Sequence, residues 1–220
     1  MKKIIFSLIA VLIIILPCCK SLNHTQKGTG IGAAAGAGAG ALLTHGSAWG
    51  ILIGAAVGGS AGYLIGNKMD KQAKEIKQAV PDAQVERVGE GINLTFNSGL
   101  LFTINSSALS DSAKLNLDNL AQVLVKYPDE NILTEGHTDD TGPDNFNMEL
   151  SKKRAYAVAN YLQMKGIDSS HFIVKWYGET QPKYPNTSEE NRIKNRRVEL
   201  AIYANDAMKK QAADSTANKN

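Results

Sequence analysis

The chain has 220 residues, 24 basic and 21 acidic side chains, and a formal net charge of +3 at pH 7. That near balance, with no dense basic patch interleaved with aromatics, excludes a nucleic-acid partner. Thirteen of the twenty glycines fall in residues 1–66, so only about 120 residues, Gln84 to Ala204, have ordinary globular composition, enough for one core.

Lys2 and Lys3 precede a mostly apolar stretch, Ile4 to Leu16. A basic start and a short apolar core make a secretory signal, too short for the usual membrane span. It ends at Pro17-Cys18-Cys19, the only cysteines. A disulfide between adjacent cysteines closes a strained ring. The alternative resembles a lipobox, in which the chain is cut before a lipidated cysteine. Cys19, with Leu16 three residues before it and a small residue at its shoulder, is favoured; Cys18, preceded by Pro17, is the alternative. Residues 1–18 then form the signal peptide and 19–27 a lipidated tether. Acyl chains contribute ~0.8 kcal/mol per buried methylene, and a durable anchor needs more than one chain.

Residues 28–66 carry two glycine series of period four, Gly28-Gly32-Gly36-Gly40 and Gly50-Gly54-Gly58-Gly62-Gly66, with no Asp, Glu, Lys or Arg among them. A period of four keeps these glycines on one helical face. In water each costs a helix ~1 kcal/mol against alanine; in lipid the same face lets two backbones approach closely. The segment reads as a glycine-rich, membrane-associated or self-associating helical hairpin, the alternative being a flexible linker. Its pattern resembles the glycine zippers of outer-membrane lipoproteins. Residues 67–83 follow as a charged spacer that begins as a helix, with Ala73, Ile76 and Val80 as a short apolar stripe.

From 84 onward the pattern becomes globular. Val85–Val88 and Gly91–Phe96 flank a Gly89-Glu90-Gly91 turn, and Ile92, Leu94 and Phe96 alternate as a half-buried strand does. Ser110 or Asp111 caps a helix with Ala113, Leu117, Leu120 and Leu124 on one face. Asn131–Gly136 reads as a strand, 144–165 as a helix ended by Gly166, Phe172–Gly178 and Arg197–Tyr203 as strands. The order β–β–α–β–α–β–β predicts an α+β fold, a mixed β-sheet with two main helices packed on one face. Residues 205–220 read as a polar, frayed tail.

The run Gly136-His137-Thr138-Asp139-Asp140-Thr141-Gly142 puts a carboxylate on a loop after a strand. Asn147, Ser151, Arg154 and Val158 share one face of the next helix. Asp139 and Arg154 therefore flank one small pocket, where a carboxylate and an ammonium on one carbon satisfy both. The alternative is a plain Asp139–Arg154 salt bridge. His137 with Asp139 and Asp140 is too sparse for a metal site. Glu135 with Asp139 is a weak acid/base pair without a substrate cleft. The reading is a non-enzyme with no cofactor and no metal. Leu150, Ala155, Val158, Tyr161 and Leu162 read as core, and Trp176, Tyr177 and Tyr184 as packing residues before sugar-stacking ones.

These runs, with Asn195-Arg196-Arg197-Val198-Glu199-Leu200, resemble the OmpA-type C-terminal peptidoglycan-binding domain, shared with peptidoglycan-associated lipoproteins and flagellar stator proteins. The likeness covers residues 84–204. It implies that Asp139 and Arg154 bind the diaminopimelate of the peptidoglycan stem peptide. It implies that Asn147 and Thr138 support the pocket by hydrogen bonds and that Asn105 makes a further contact. Family spacing favours Arg196 as another contact, with Arg197 open as the alternative. The expected protein is an outer-membrane lipoprotein, lipid-anchored through Cys19, its wall-binding domain in the periplasm and tied to peptidoglycan. A homo-oligomer through the glycine zipper is also open.

Overall fold

The structure is a computed structural model that describes residues 60–103 and 105–217. The signal peptide, the lipidation cysteine (Cys19 or Cys18), the tether and residues 28–59 of the glycine segment lie outside the described residues. Among the described residues no helix is long and apolar enough to cross a membrane.

The described residues open with α1 (Ser60–Ala79), then β1 (Gln84–Val88), β2 (Gly91–Asn97), a short α2 (Ser98–Leu101) and α3 (Asp111–Leu124). β3 (Glu130–His137), α4 (Asp144–Met164), a 3-10 turn at Ser169–His171 and β4 (Phe172–Trp176) follow. α5 (Glu189–Asn195), β5 (Arg197–Ala204) and α6 (Asp206–Ala217) complete it. The strands form one mixed sheet in the order β1-β2-β5-β3-β4. β3 and β4 are parallel, joined through α4, and the other neighbours are antiparallel. This is the expected α+β architecture.

Alternation decides which strand residues meet the helices. Ile92, Leu94, Phe96, Ile132, Val198, Leu200 and Ile202 form the main core with Ala113, Leu117 and Leu120 of α3 and Val158 and Leu162 of α4. Ser110 caps α3, its side chain accepting from Ala113 N. The opposite sheet face holds a small apolar cluster of Val88, Leu133, Ala201 and Tyr203. Beside it lies a polar strip, described below.

The structure differs from the sequence reading at both ends of the domain. Residues read as spacer belong to α1, which also includes residues 60–66 of the glycine segment, so no break falls at 66/67. Its buried stripe is Ala61, Ile65, Met69, Ala73 and Ile76, spaced by four and three. Fully burying side chains such as Ile65, Met69 and Ile76 contributes about 1.5–3 kcal/mol each, which offsets the helix's many solvated charges. The tail read as frayed is largely α6, whose Met208 and Ala212 join the same core.

Candidate functional site

The site forms where β3 leaves the sheet. Gly136 is required there, because a Cβ at that position would collide with the backbone carbonyl of Ser151 on α4. The strand and α4 can therefore lie close, which brings Asp139 near the helix. Thr138 N donates to Gly178 O (2.8 Å), and Gly178 N donates to Ser151 Oγ (3.0 Å). Gly178 has φ +54, and a Cβ there would press within 3.1 Å of Met148 N. This relay ties the β3 exit, the β4 exit and α4 together.

Asn147, in the first turn of α4, is buried. Its amide nitrogen lies 3.3 Å from Asp139 O, 3.2 Å from Thr141 O and 2.6 Å from Glu179 Oε2. It holds the loop's shape through main-chain acceptors. Asp139 is itself buried. Its Oδ1 accepts from Thr141 N (3.0 Å), and its Oδ2 accepts from Arg196 Nη1. Arg196 Nη2 also donates to Glu189 Oε1 (2.7 Å). Burial works against the Arg196 charge, but its hydrogen bonds to Glu189 and Asp139 outweigh it and raise its pKa.

Arg154 does not pair with Asp139. Its Nε donates to Ser106 O (3.0 Å), and its guanidinium lies 5.2 Å from the centre of the Phe102 ring. Among the described residues no ion pair reaches it, so neither Nη group is taken by a carboxylate. Burial, and then the nearby Arg196 charge, pull Arg154 below the usual arginine value, while Asp139 opposes them; a guanidinium keeps its proton regardless. The salt-bridge alternative for Asp139 and Arg154 is thus absent from the structure.

Between these groups lies a cavity of about 500 Å³, within the usual range for small-ligand pockets. Thr138, Asp139, Asn147, Arg154, Asn105 and Arg196 all line it. Asn105 has a left-handed backbone, φ 54, which asparagine tolerates better than most residues. The Thr138 hydroxyl is buried with no protein partner. Phe146, about half exposed, forms part of the rim.

Arg197 is not brought to the cavity. It is buried on the opposite sheet face, where its Nε donates to Glu199 Oε1 (2.5 Å) and its Nη1 to Asn195 O (3.2 Å). Glu135 and His137 face the same way, opposite Glu199 and Arg197 in the β3–β5 register. The carboxyl of Glu135 is pushed up to about 7, by burial first and then by Glu199. Burial, then Arg197 and Lys183, hold His137 well below the usual histidine value. His137 stacks on Tyr177 at 5.3 Å between ring centres, and Tyr177 donates to Glu135 Oε1 (3.3 Å). Glu135 therefore does not share a groove with Asp139. Among the described residues no three His, Cys, Asp or Glu side chains are grouped for a metal.

Three neighbours of the pocket escape the sequence reading. Phe102 and Ser106 seat Arg154 from the α2–α3 connection, and Glu189 reaches Arg196 from α5. Phe102 sits beside the Asn105 contact and was within reach of that motif. Glu189 carries no local signal.

Residues 101–196 match the OmpA family, and residues 1–70 match the YMGG-like Gly-zipper family. The chain is 32% identical over 148 residues to the "probable lipoprotein YiaD" of Escherichia coli, covering 66% of each chain, just under two thirds of that relative's length. It is 30% identical over 131 residues to a peptidoglycan-associated lipoprotein of Buchnera aphidicola, covering 60% of this chain and 72% of that one. Among solved structures, the cell wall anchor of the T6SS from Pseudomonas aeruginosa superposes with a TM-score of 0.55 at 26% identity, covering 62% of this chain and 96% of the other.

Proposed function

The chain belongs to the OmpA family, and on that premise we propose that it binds peptidoglycan without cutting it, through the diaminopimelate of the stem peptide. The free end of that residue carries one carboxylate and one ammonium. Arg154 offers a planar fork for the carboxylate. Asp139 accepts from the ammonium on lone pairs not used by Thr141 and Arg196, since a carboxylate has about four acceptor sites. The observation that carries this reading is that Asp139 and Arg154 line one open cavity yet do not pair with each other. Thr138 supplies a further hydroxyl, Asn147 fixes the loop, and Asn105 and Arg196 complete the wall. Arg197, turned to the other face, has a structural role.

We further propose that lipid on Cys19 anchors the chain in the outer membrane with the folded domain in the periplasm, so that the protein links membrane to wall. One amino-acid-sized site binds modestly, and many copies along a sacculus supply avidity. The test is retention on purified sacculi of residues 60–220, wild type beside Asp139→Ala and Arg154→Ala. Wild type is retained and both variants wash through; retention of both variants at the wild-type level removes the site assignment. Release of soluble muropeptides would instead make the protein an enzyme.

The glycine-zipper match supports a second role, self-association in the membrane through residues 28–66. Crosslinking the full chain beside a version lacking 28–59, which spares α1, separates the two. Oligomers that persist in the shortened chain would remove this role.

A further inference from the structure

At the far end of β3 from the cavity, Glu130 opens the strand and faces the helices. It is 3% exposed, and Gln72 of α1, fully buried, donates from Nε2 to its Oε2 at 2.7 Å. This contact spans 58 residues and joins α1, the element that follows residues 1–59, to the sheet.

Each partner has one oxygen left over. Glu130 Oε1 and Gln72 Oε1 are both shut off from solvent and both lack a hydrogen-bond partner. Two buried acceptors without donors are costly. They belong to the same hydrogen-bonded pair, so one proton removes both deficits: an acid O–H on Glu130 Oε1 donates to Gln72 Oε1 while the Gln72 amide donates back to Glu130 Oε2. An ionised Glu130 has no such remedy, because among the described residues no ion pair reaches it. We propose that Glu130 is a neutral carboxylic acid in the folded protein, paired with the Gln72 amide in a two-bond ring, and that this ring is a pH-sensitive latch holding α1 against the sheet.

The surrounding groups pull in both directions, and burial is the largest influence. Burial pushes the Glu130 carboxyl up to about 8. From α1, the Gln72 N–H bond and then Lys68 favour the ionised form, and burial outweighs both; Asp129, in the loop before β3, opposes the ionised form too. After α3, Tyr127 feels the Glu130 charge, and its hydroxyl donates to Glu75 of α1 (2.9 Å). From the 3-10 turn, the His171 ring places Nδ1 2.6 Å from the Glu130 backbone O, so it engages the main chain and not the carboxyl.

The direction with pH follows from linkage. When α1 lifts away, Glu130 returns to an ordinary glutamate value near 4.5. Its folded value is higher, so the latch is complete below that pH and weakens as pH rises toward about 8. The apolar stripe of α1 remains, so the latch loosens the helix without expelling it.

The experiment is hydrogen exchange on the full chain in detergent, reading the α1 amides from pH 5 to 9 after correction for intrinsic exchange. The opening constant of wild type rises by up to about tenfold per pH unit and levels off above about 8. Glu130→Gln keeps a donor toward Gln72 and has no proton to lose, so its α1 protection matches wild type at pH 5 and stays flat. A carbon-13 titration of the Glu130 carboxyl in wild type gives a second readout, with the neutral-acid shift persisting at pH 7. Titration in the ordinary glutamate range overturns the proposal. So does a Glu130→Gln variant that unfolds, that exchanges faster than wild type at pH 5, or that retains the wild-type slope.

Discussion

Arg196 and Arg197 are chain neighbours that serve two different regions of charge. Arg196 lines the open cavity, where Asp139, Glu189 and Arg154 leave room between them. Arg197 belongs to a sealed cluster on the other sheet face, with Glu199, Glu135 and His137 all at 2% exposure or less. The two regions use the same side-chain types. In the cavity the cation and anion predicted to act together stand apart beside an opening. In the sealed cluster the cation, Arg197, is paired directly with Glu199, and no opening lies beside them. Separation beside an opening, rather than charge itself, is what distinguishes a site from internal structure.

The largest effect expected from this contrast is on folding. Arg197→Ala strips Glu199 of a buried partner, which costs about 3–5 kcal/mol. A chemical denaturation curve of residues 60–220 reads it. A variant as stable as wild type would mean that water reaches Glu199 in the cluster. Next in size is the cavity. Arg154→Ala is expected to weaken sacculus binding by about tenfold to a hundredfold, the range for a lost charged hydrogen bond of about 1.5–3 kcal/mol. A matching loss of stability would place Arg154 in the sealed class.

The site's outline was legible because it is local. A strand, a glycine-bounded loop and a helix keep Asp139, Asn147 and Arg154 within one supersecondary unit, and helical period alone aligns the last two. The choice between Arg196 and Arg197 was not, because a one-residue slip turns a strand side chain to the other face. β5 begins at Arg197, while Arg196 is the residue that caps α5, with ψ 90. The docking of α1 was also hidden. Its stripe crosses the boundary where composition changes at Gly66, so dividing the chain by composition cut the stripe in two. Gln72 and Glu130 are too far apart in sequence for any local pattern to join them.

A smaller effect separates the two buried carboxyls by pH. Glu135 has a folded value of about 7, above its ordinary 4.5. Its contribution to stability is therefore complete below about 4.5 and lost as pH rises through 7. Glu135→Gln is expected to remove the part of the stability slope that ends near 7 and to leave the part that continues toward 8, which belongs to Glu130. Denaturation midpoints across pH 5 to 9 check this. An unchanged slope in Glu135→Gln would mean that Glu135 ionises freely despite its burial.

The smallest effect is the sharpest comparison. Arg196→Gln removes a cation beside the one that Arg197→Ala removes, yet a stability change within about 0.5 kcal/mol is expected. The Arg196 side chain is 33% exposed, so water replaces much of what it gives. Its outer partner Glu189 is 64% exposed and needs no replacement. Asp139 keeps the Thr141 N–H on Oδ1, and the open cavity lets water reach Oδ2. None of these escapes exists for Glu199, whose second oxygen is already buried without a partner. If the denaturation midpoint of Arg196→Gln fell as far as that of Arg197→Ala, Asp139 would be as sealed as Glu199, and the cavity would be too closed to admit a ligand.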